Sequence, residues 1–413
     1  MGPMIPPREY NRSGLLPNPN RNHDPMDPAL RNQFLLDPDV IFLNHGSFGA
    51  TPRPIFEAYQ GWQRALERQP VEFLGRSYHR LLADARAALA AYLGAAAEDL
   101  VFVPNATTGL NIVARSLPLG PGDEVLASDL EYGAADRTWR FLAAKQGFSY
   151  IQRPTNIPIR SAAEFTSSFF KGVTLATRVI FLSHITSSTA IVLPVNEICA
   201  RARELGILTV IDGAHAPGQV PLDLASLGAD FYTGNCHKWL CAPKGSAFLH
   251  ARRGAQPLIQ PLIVSWGWQP EHPGPSPFLD LLEWTGTRDI AAYLSVPEAI
   301  RFQAEHDWEA VRAECHAMAA ETQQQLTALF GFPPLHPAGP AWFGQMSASQ
   351  IPASLPAEAV QARLYKDYRI EIPVQSWNGR NLIRYSFQAY NRPEEVGLLV
   401  KALKEIFIEK DGS

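Results

Sequence analysis

The chain has 413 residues, of which 46% are hydrophobic and 18% charged, and its formal net charge is -4 at pH 7. This balance is typical of a globular protein large enough for two domains, and it lacks the basic excess of a nucleic-acid-binding surface. The sequence contains no apolar stretch of the length of a membrane span or a secretory leader. We therefore expect a cytoplasmic protein that acts on a small molecule, with neither nucleic acid nor a membrane as partner.

The four cysteines of the chain show neither the paired spacing of a zinc site nor the density of a disulfide framework. They are Cys199, Cys236, Cys241 and Cys315. We expect reduced thiols and no bound metal.

The first part of the chain begins with residues 1–28, rich in Pro, Asn and Arg without periodicity, which predicts a flexible N-terminal arm available to a partner subunit. Val40–Leu43 reads as a short strand that runs into the turn-rich loop Asn44–Pro52. That loop either lines a site or simply connects two elements. Leu81–Leu93 reads as a helix that stops at Gly94.

Strand and helix signals alternate from residue 100 onward. The strand Leu100–Val103 leads through Asn105–Gly109 into a helical run, Leu110–Leu117, and a second helix is expected over Val195–Leu205. Further strands are expected at Glu124–Ala127, Arg178–Ser183, Leu208–Ile211 and Ser246–Leu249. This alternation predicts a mostly parallel sheet covered by helices.

The pattern changes after about residue 289 and predicts a smaller α+β C-terminal domain. Its expected elements are the helices Ile290–His306, Trp308–Phe330 and Ala357–Tyr365, the strands Trp342–Ser347, Arg369–Val374 and Leu382–Phe387, and a last helix that begins near Pro393.

Two ionisable residues follow apolar strands of the predicted sheet. Asp212 ends the strand at Leu208–Ile211, and Lys238 follows the strand-like segment Ala229–Thr233. Desolvation would lower the pKa of the lysine and make its amine a nucleophile, while the buried aspartate needs a cation or backbone N–H groups. Each residue alone has a structural explanation, since a lysine can keep its ammonium in water.

Together, the lysine and the aspartate are the two protein groups that pyridoxal phosphate chemistry needs most. The helix start at Ala106–Thr108 would suit a phosphate, although capping explains Thr107 and Thr108 equally well. Tyr132 could stack on the cofactor ring, and Arg384 could bind a substrate carboxylate. A core aromatic and a surface ion pair are the alternatives for these two.

Several short motifs in this order resemble the class V aminotransferase family of fold-type I pyridoxal-phosphate enzymes, and within it the isopenicillin N epimerase-like branch. The motifs are Asn44–Gly49, Asn105–Thr108, Glu131–Tyr132, Asp212–His215, His237–Lys238, Gly286–Arg288 and Arg384–Ser386. The resemblance implies an α/β fold with a mostly parallel seven-stranded sheet flanked by helices in a large domain, residues 55–290. A small α+β domain would combine residues 29–54 and 291–413.

The resemblance also implies which residues bind the cofactor, pyridoxal 5'-phosphate. Lys238 would form the Schiff base, Asp212 would pair with the pyridinium nitrogen, and Tyr132 would stack on the ring. His215, in the position where cysteine desulfurases of the family usually have Gln, joins this cofactor-binding and catalytic set.

The phosphate of the cofactor would be bound by Ala106 and Thr107 with help from His237. Thr287 resembles a threonine that reaches the phosphate of the neighbouring subunit's cofactor, which implies a homodimer with composite sites. Arg384 would bind the α-carboxylate of an amino-acid substrate, with Asn44 and His45 also at the substrate.

Two departures from the desulfurase pattern bear on the reaction. Asn235 replaces a serine two residues before the His–Lys pair, and the sequence contains no cysteine after Cys315, which itself lies in a helical pattern. The second departure argues against a persulfide-forming cysteine desulfurase.

The expected function is a reaction at the Cα of an amino acid, most like that of an epimerase or racemase. A carbon–sulfur lyase acting by β-elimination and an aminotransferase are the alternatives, and a binding protein without turnover is the rival outside enzymes. An epimerase needs a second acid opposite Lys238, for which His45, His184 and His215 are candidates by residue type, although each could be a core histidine. Trp266 and Trp268 could wall the pocket or pack at a dimer interface.

Overall fold

The computed structural model describes residues 28–407. Residues 1–27 of the predicted N-terminal arm therefore lie outside the described residues, and residue 28 is the first of a short helix. The strands, numbered in chain order, are β1 Ile41–Phe42, β2 Leu100–Val103, β3 Glu124–Ser128, β4 Ser149–Arg153, β5 Thr177–Ser183, β6 Leu208–Asp212, β7 Phe231–Asn235, β8 Ala247–Ala251, β9 Met346–Ile351, β10 Ile370–Glu371, β11 Val374–Trp377 and β12 Arg380–Ser386.

The helices cover both the central region and the C-terminal region of the chain. They are α1 Pro28–Arg31, α2 His45–Phe48, α3 Arg53–Arg68, α4 Tyr78–Leu93, α5 Ala106–Ser116, α6 Gly133–Gln146, α7 Ala162–Phe170, α8 Val195–Glu204, α9 Leu224–Leu227, α10 Pro277–Glu283, α11 Ala291–Leu294, α12 Val296–Glu305, α13 Trp308–Phe330, α14 Ala357–Tyr368 and α15 Glu394–Phe407, with a π-helical turn at Val71–Ser77 and 3-10 turns at Ala97–Asp99 and Gln256–Leu258. Among the helices of residues 28–407, none combines the length and the apolar character that crossing a membrane requires.

Within these residues the central sheet has seven strands in the order β2-β8-β7-β6-β5-β3-β4. The run from β7 to β4 is parallel, whereas β8 is antiparallel to both of its neighbours. β7 is buried along its whole length, and β5 and β6 nearly so, because helices cover both faces of a parallel sheet. The predicted α/β architecture with a mostly parallel seven-stranded sheet is confirmed.

The carboxyl end of β6 lies in the middle of this sheet. Asp212 is in register with Ser183 on β5 and with Thr233 on β7. Open α/β sheets bind their ligands at the carboxyl edge of such central strands. The sheet therefore places Asp212 at the edge where a site is expected.

The C-terminal region contains an antiparallel sheet in the order β11-β12-β9, with α13 packed on β9 and α14 on β11. The strand predicted over Arg369–Val374 is divided into β10 and β11 at Pro373, which lacks an N–H group for a ladder hydrogen bond. The strand predicted at Trp342–Ser347 begins later, at Met346. A separate C-terminal α+β unit is confirmed, while the exact boundaries at residues 54 and 290 stay predictions.

The segment after β1 connects the two sheets. β1 pairs in parallel with β10, and the Leu43 N–H donates to the carbonyl of Glu371 at 3.0 Å. On the other side, the Ser386 N–H at the end of β12 donates to the carbonyl of Leu43 at 3.0 Å. This strap segment, Leu43–Gly49, therefore lies against the C-terminal sheet and continues toward the carboxyl edge of the central sheet.

Candidate active site

Lys238 lies in the loop that joins the adjacent strands β7 and β8. The loop is closed by backbone hydrogen bonds from the N–H groups of Cys236 and His237 to the Ser246 carbonyl, at 3.0 and 3.2 Å. Gly49 of the strap segment packs on this loop so closely that a Cβ there would lie 2.0 Å from the His237 carbonyl oxygen. The position of the lysine main chain is thus fixed from two sides.

The amine of Lys238 faces His215, with Nζ 3.1 Å from Nε2. Burial lowers the pKa of Lys238, and the nearby Arg384 guanidinium lowers it further, whereas Asp212 acts in the opposite direction. Loss of solvation disfavours the ammonium more than one carboxylate can compensate. The surroundings favour the neutral, nucleophilic amine.

Asp212 is buried at the carboxyl end of β6, and its Oδ1 accepts a hydrogen bond from the Ala214 N–H at 2.9 Å. Burial raises the pKa of this carboxyl group, while the Ala214 N–H and Lys238 act against the rise. Its Oδ2 accepts no hydrogen bond from residues 28–407. A carboxylate with one oxygen available in a buried setting is suited to a cationic N–H donor.

His215 is buried, and both of its ring nitrogens have partners. The indole N–H of Trp239 donates to Nδ1 at 3.3 Å, and Nε2 faces the lysine amine. Burial lowers the pKa of His215 well below its ordinary value, and the positive charges of Lys238 and Arg384 lower it further. The imidazole is therefore neutral.

The start of α5 forms the predicted phosphate cradle. Asn105 caps the helix, because its Oδ1 accepts from the Thr108 N–H at 2.8 Å. The Ala106 N–H, predicted to bind phosphate, instead donates to Asn235 Oδ1 at 2.9 Å. The exposed Thr107 makes no hydrogen bond to residues 28–407 through its N–H or its hydroxyl, so both donors are available to a ligand.

Asn235 contacts the start of α5 through one end of its side-chain amide. Because its Oδ1 accepts the Ala106 N–H, the amide nitrogen Nδ2 points to the other side and has no partner among the described residues. His237 contributes similarly: its Nδ1 lies 2.9 Å from the Ser246 carbonyl oxygen, which leaves Nε2 for a ligand. Burial, with the charges of Lys238 and Lys244, lowers the pKa of His237 to about 4.

Arg384 is buried on β12, and its guanidinium is anchored on two sides. Nη1 donates to the Ser187 carbonyl at 2.7 Å, and Nη2 donates to Ser47 Oγ at 3.0 Å. Its Nε is buried and has no hydrogen-bond partner. Burial lowers the pKa of Arg384 to about 10, still far above neutral pH, and Tyr132 opposes this effect. A fixed guanidinium with an unused donor fits a carboxylate ligand.

Asn44 makes its side-chain hydrogen bonds to other residues of the protein. Its Nδ2 donates to Glu371 Oε1 at 3.1 Å, and its Oδ1 accepts from Ser47 Oγ at 2.6 Å. Both ends of the amide are therefore used within the protein in this structure, and the binding of substrate by Asn44 stays a prediction. It acts on Arg384 indirectly, through Ser47.

His45 is fully buried, and its predicted place at the substrate finds no support. Its Nδ1 lies 3.0 Å from the Tyr390 hydroxyl, and its Nε2 lies 3.0 Å from the Lys238 carbonyl oxygen. Burial lowers the pKa of His45 to about 3. His45 thus holds the lysine main chain from the side opposite its amine.

The remaining predicted residues differ in exposure. Tyr132, at the start of α6 and the carboxyl end of β3, is 47% exposed, whereas His184 is buried with Nδ1 2.9 Å from the Tyr232 hydroxyl. Thr287 lies on an exposed loop and contacts none of the other site residues within residues 28–407. Trp266 and Trp268 are both exposed.

Sequence reasoning missed the residues that orient the predicted ones. Ser47 and Ser187 anchor Arg384, and Trp239 binds His215. Ser47 lies inside the motif Asn44–Gly49 and Trp239 follows the lysine directly, so the sequence places both residues near the predicted site. The sequence does not indicate which atoms they contact.

The unused donors and acceptors fit pyridoxal 5'-phosphate. Thr107 at a helix start, the amide of Asn235 and the ring of His237 are suited to a phosphate. Asp212 has an oxygen for a protonated ring nitrogen, and Lys238 offers a neutral amine for an imine. The site thus offers groups for the phosphate, the ring nitrogen and the aldehyde of this cofactor.

Comparisons with known proteins agree with the geometry. Residues 51–399 match the family described as aminotransferase class V. The chain is 39% identical over 390 residues to isopenicillin N epimerase from Amycolatopsis lactamdurans, covering 91% of this chain and 97% of that protein. It is 32% identical to putative L-cysteine desulfhydrase 1 from Oryza sativa subsp. japonica, covering 89% of this chain and 83% of that protein.

Among solved structures, the apo cysteine desulfurase from Thermococcus onnurineus NA1 superposes with a TM-score of 0.78 at 20% identity, covering 92% of this chain and 97% of that one. This likeness shows a shared fold. The family match over most of the chain goes further, since it also identifies the cofactor. The chain belongs to the class V aminotransferase family of pyridoxal-phosphate-dependent enzymes.

Proposed function

We propose that this chain is an epimerase that inverts the Cα of an amino-acid substrate with pyridoxal 5'-phosphate as cofactor. The observation that carries the proposal is the buried cluster in which the Lys238 amine, His215 and the Arg384 guanidinium converge. The similarity to an isopenicillin N epimerase at 39% identity favours epimerisation among the reactions at Cα. The substrate would be an amino acid or a larger molecule that carries an α-amino-acid group.

Each residue of the cluster has a defined task in this proposal. The bound cofactor supplies an electron sink for the bond that breaks at Cα. Asp212 would hold the proton of the cofactor's ring nitrogen, and the Lys238 amine would remove the Cα proton as a general base. Arg384 orients the substrate through its carboxylate, which decides the bond that stands in position to break.

Epimerisation also needs an acid on the face opposite Lys238. His45 and His184 are buried with partners for a ring nitrogen, and His215 contacts the Lys238 amine and so belongs to the lysine side. We propose Tyr132 for this acid, because its side chain is half-exposed and lies close enough to Arg384 to interact with it electrostatically. Tyr132→Phe should keep Cα proton exchange but lose inversion; retained inversion would rule Tyr132 out.

A homodimer with composite sites is part of the same proposal. Thr287 is exposed in the single chain, and within residues 28–407 it makes no hydrogen bond to the phosphate cradle that it would serve. The segment Leu262–Trp268 exposes five large apolar side chains, up to 81% for Trp266, which supports a covered surface. In mixtures of inactive Lys238→Ala and Thr287→Ala chains, hybrid dimers with one intact site should recover activity; no recovery would refute composite sites.

A carbon–sulfur lyase is the second candidate, because of the similarity to an L-cysteine desulfhydrase. It needs the same Cα deprotonation and no protein thiol. A persulfide relay is disfavoured, because Cys199, Cys236, Cys241 and Cys315 are all buried and burial raises their thiol pKa values.

One experiment separates these functions. The purified enzyme is incubated with a panel of L-amino acids in deuterated water, and Cα exchange, chirality, pyruvate, thiol and transfer to an added keto acid are followed. Exchange with inversion supports the epimerase, pyruvate with thiol supports the lyase, and amino transfer supports an aminotransferase. Absence of exchange with every substrate contradicts the proposal. Borohydride should trap the cofactor on Lys238, and a label on another residue would sink that assignment.

A further inference from the structure

Trp239, which follows Lys238 in the chain, is fully buried and donates its indole N–H to His215 Nδ1 at 3.3 Å. An indole nitrogen can donate a hydrogen bond but cannot accept one. Nδ1 is therefore the acceptor and carries no proton. The other ring nitrogen, Nε2, lies 3.1 Å from Lys238 Nζ.

We propose that Trp239 fixes His215 as the neutral tautomer with its proton on Nε2, and that this tautomer keeps Lys238 as a neutral amine. A neutral imidazole with an unprotonated Nδ1 must hold its proton on Nε2. If the Nε2–H group faced an ammonium, two hydrogen-bond donors would point at each other. A neutral amine instead offers the N–H group a lone pair. Trp239 thus acts on the lysine through His215 and is a positioning residue.

The indole is held in place by its own contacts. The Trp239 carbonyl accepts a hydrogen bond from Gln303 Nε2 at 2.9 Å, and the His45 ring lies 5.0 Å from the indole ring, centroid to centroid. Gly46 lies against the same cluster: a Cβ there would be in ordinary contact with Trp239 Cζ2 at 3.5 Å and His215 Cε1 at 3.6 Å, and it would clash with Met346 Sδ at 2.6 Å. A tightly packed donor of this kind selects one tautomer without rotating away.

The groups around His215 do not favour an imidazolium that would break this arrangement. Lys238, Arg384, His237 and His45 surround the ring with positive or neutral groups. Asp212 acts on Lys238, where its charge works against the neutral amine. The N–H group that Nε2 directs at the Lys238 amine favours the neutral amine and so offsets the effect of the Asp212 carboxylate.

This inference rests on the proposed role of Lys238 as the reactive amine, but its test does not depend on turnover. The full-length, cofactor-free chain is compared with Trp239→Phe and with the matched control Trp139→Phe. Trp139 is also fully buried, but its indole N–H has no partner, so that substitution removes no hydrogen bond. Nitrogen-15 NMR of the histidine rings, assigned with His215→Gln, should show the proton on Nε2 in the wild type. In Trp239→Phe the two nitrogens should shift toward a tautomer average.

The second readout is the pH dependence of Lys238 acetylation, followed by mass spectrometry. Loss of one hydrogen bond of ordinary net strength should raise its midpoint by about 0.5 to 1 pH unit in Trp239→Phe and leave it unchanged in Trp139→Phe. A proton on Nδ1 in the wild type, or an unchanged midpoint in Trp239→Phe, would overturn the inference. The position of the proton on His215 in the wild type tests the inference even if the variant fails to fold. Absence of Cα exchange would refute the epimerase and leave the tautomer result standing.

Discussion

Arg384→Lys isolates the role of the guanidinium in binding a substrate carboxylate. In the native chain, Ser187 and Ser47 anchor the two terminal nitrogens, and the buried Nε has no partner. A lysine keeps the positive charge that acts on Lys238 but has a single nitrogen, so it cannot keep both anchors and also bind a carboxylate. Loss of one charge-assisted hydrogen bond corresponds to about 1.5–3 kcal/mol, or about 10- to 150-fold in kcat/KM.

The loss should fall mainly on KM, because the carboxylate is bound in the ground state as well as in the transition state. Cα proton exchange in deuterated water, measured by NMR against substrate concentration, gives KM for an amino acid and for the amine that lacks its carboxylate. The variant should weaken the amino acid and leave the amine unchanged. Arg301→Lys, on the half-exposed face of α12, is the control and should affect neither. An equal loss for both substrates would refute the carboxylate role.

Three further predictions concern the groups around Lys238. Asp212→Asn removes a carboxyl group whose pKa is raised by burial, so the cofactor-free chain should unfold at a higher temperature, while Cα exchange by the loaded enzyme falls by at least about 100-fold; a lower unfolding temperature would contradict the burial argument. Burial lowers the pKa of His45 from 6.5 to about 3. Below pH 6.5 the unfolded chain therefore binds a proton that the native chain does not. The free energy of unfolding falls with pH as a result, by up to about 1.4 kcal/mol per pH unit. Urea titrations at about pH 7 and about pH 5 should therefore show a smaller loss for His45→Gln than for the native chain, and equal losses would argue against it. Gly49 and Gly206 both have positive φ, 71° and 69°, but only at Gly49 would a Cβ meet the loop of Lys238. Gly206→Ala should cost about 1–2 kcal/mol of unfolding free energy, and Gly49→Ala more, with weaker cofactor binding; equal costs would show that the close approach is unimportant.

The central sheet was largely predictable because strands buried on both faces are apolar along their length. β5, β6 and β7 have this character, and they place Asp212 and the loop of Lys238 at one edge. The edge strand β4, Ser149–Arg153, contains only exposed and partly exposed residues and has no continuous apolar run, so it was not predicted. One predicted strand is divided at Pro373 because proline has no N–H group to donate in the sheet. A search for apolar runs does not detect this effect.

The partners of the site residues could not be predicted, because they come from distant parts of the chain. His45 meets Tyr390, 345 residues away, and Asn44 meets Glu371, 327 residues away. A histidine or an asparagine in a turn-rich loop looks the same in the sequence whether its side chain faces a ligand or the core. Only the contacts of the folded chain show that both side chains bind other residues of the protein.

The strap segment Leu43–Gly49 contacts two residues that we propose to bind different ligands. Through His45 it contacts the main chain of Lys238, and through Ser47 it contacts Arg384. With the proposed roles of Lys238 and Arg384, a shift of this segment would change the cofactor's attachment point and the carboxylate's binding group together. Coupling between two ligands is reciprocal, so a carboxylate that tightens cofactor binding through the strap is itself bound more tightly, by the same factor, when the cofactor is present. The affinity of the chain for its cofactor and for its substrate therefore has to be measured as one linked quantity.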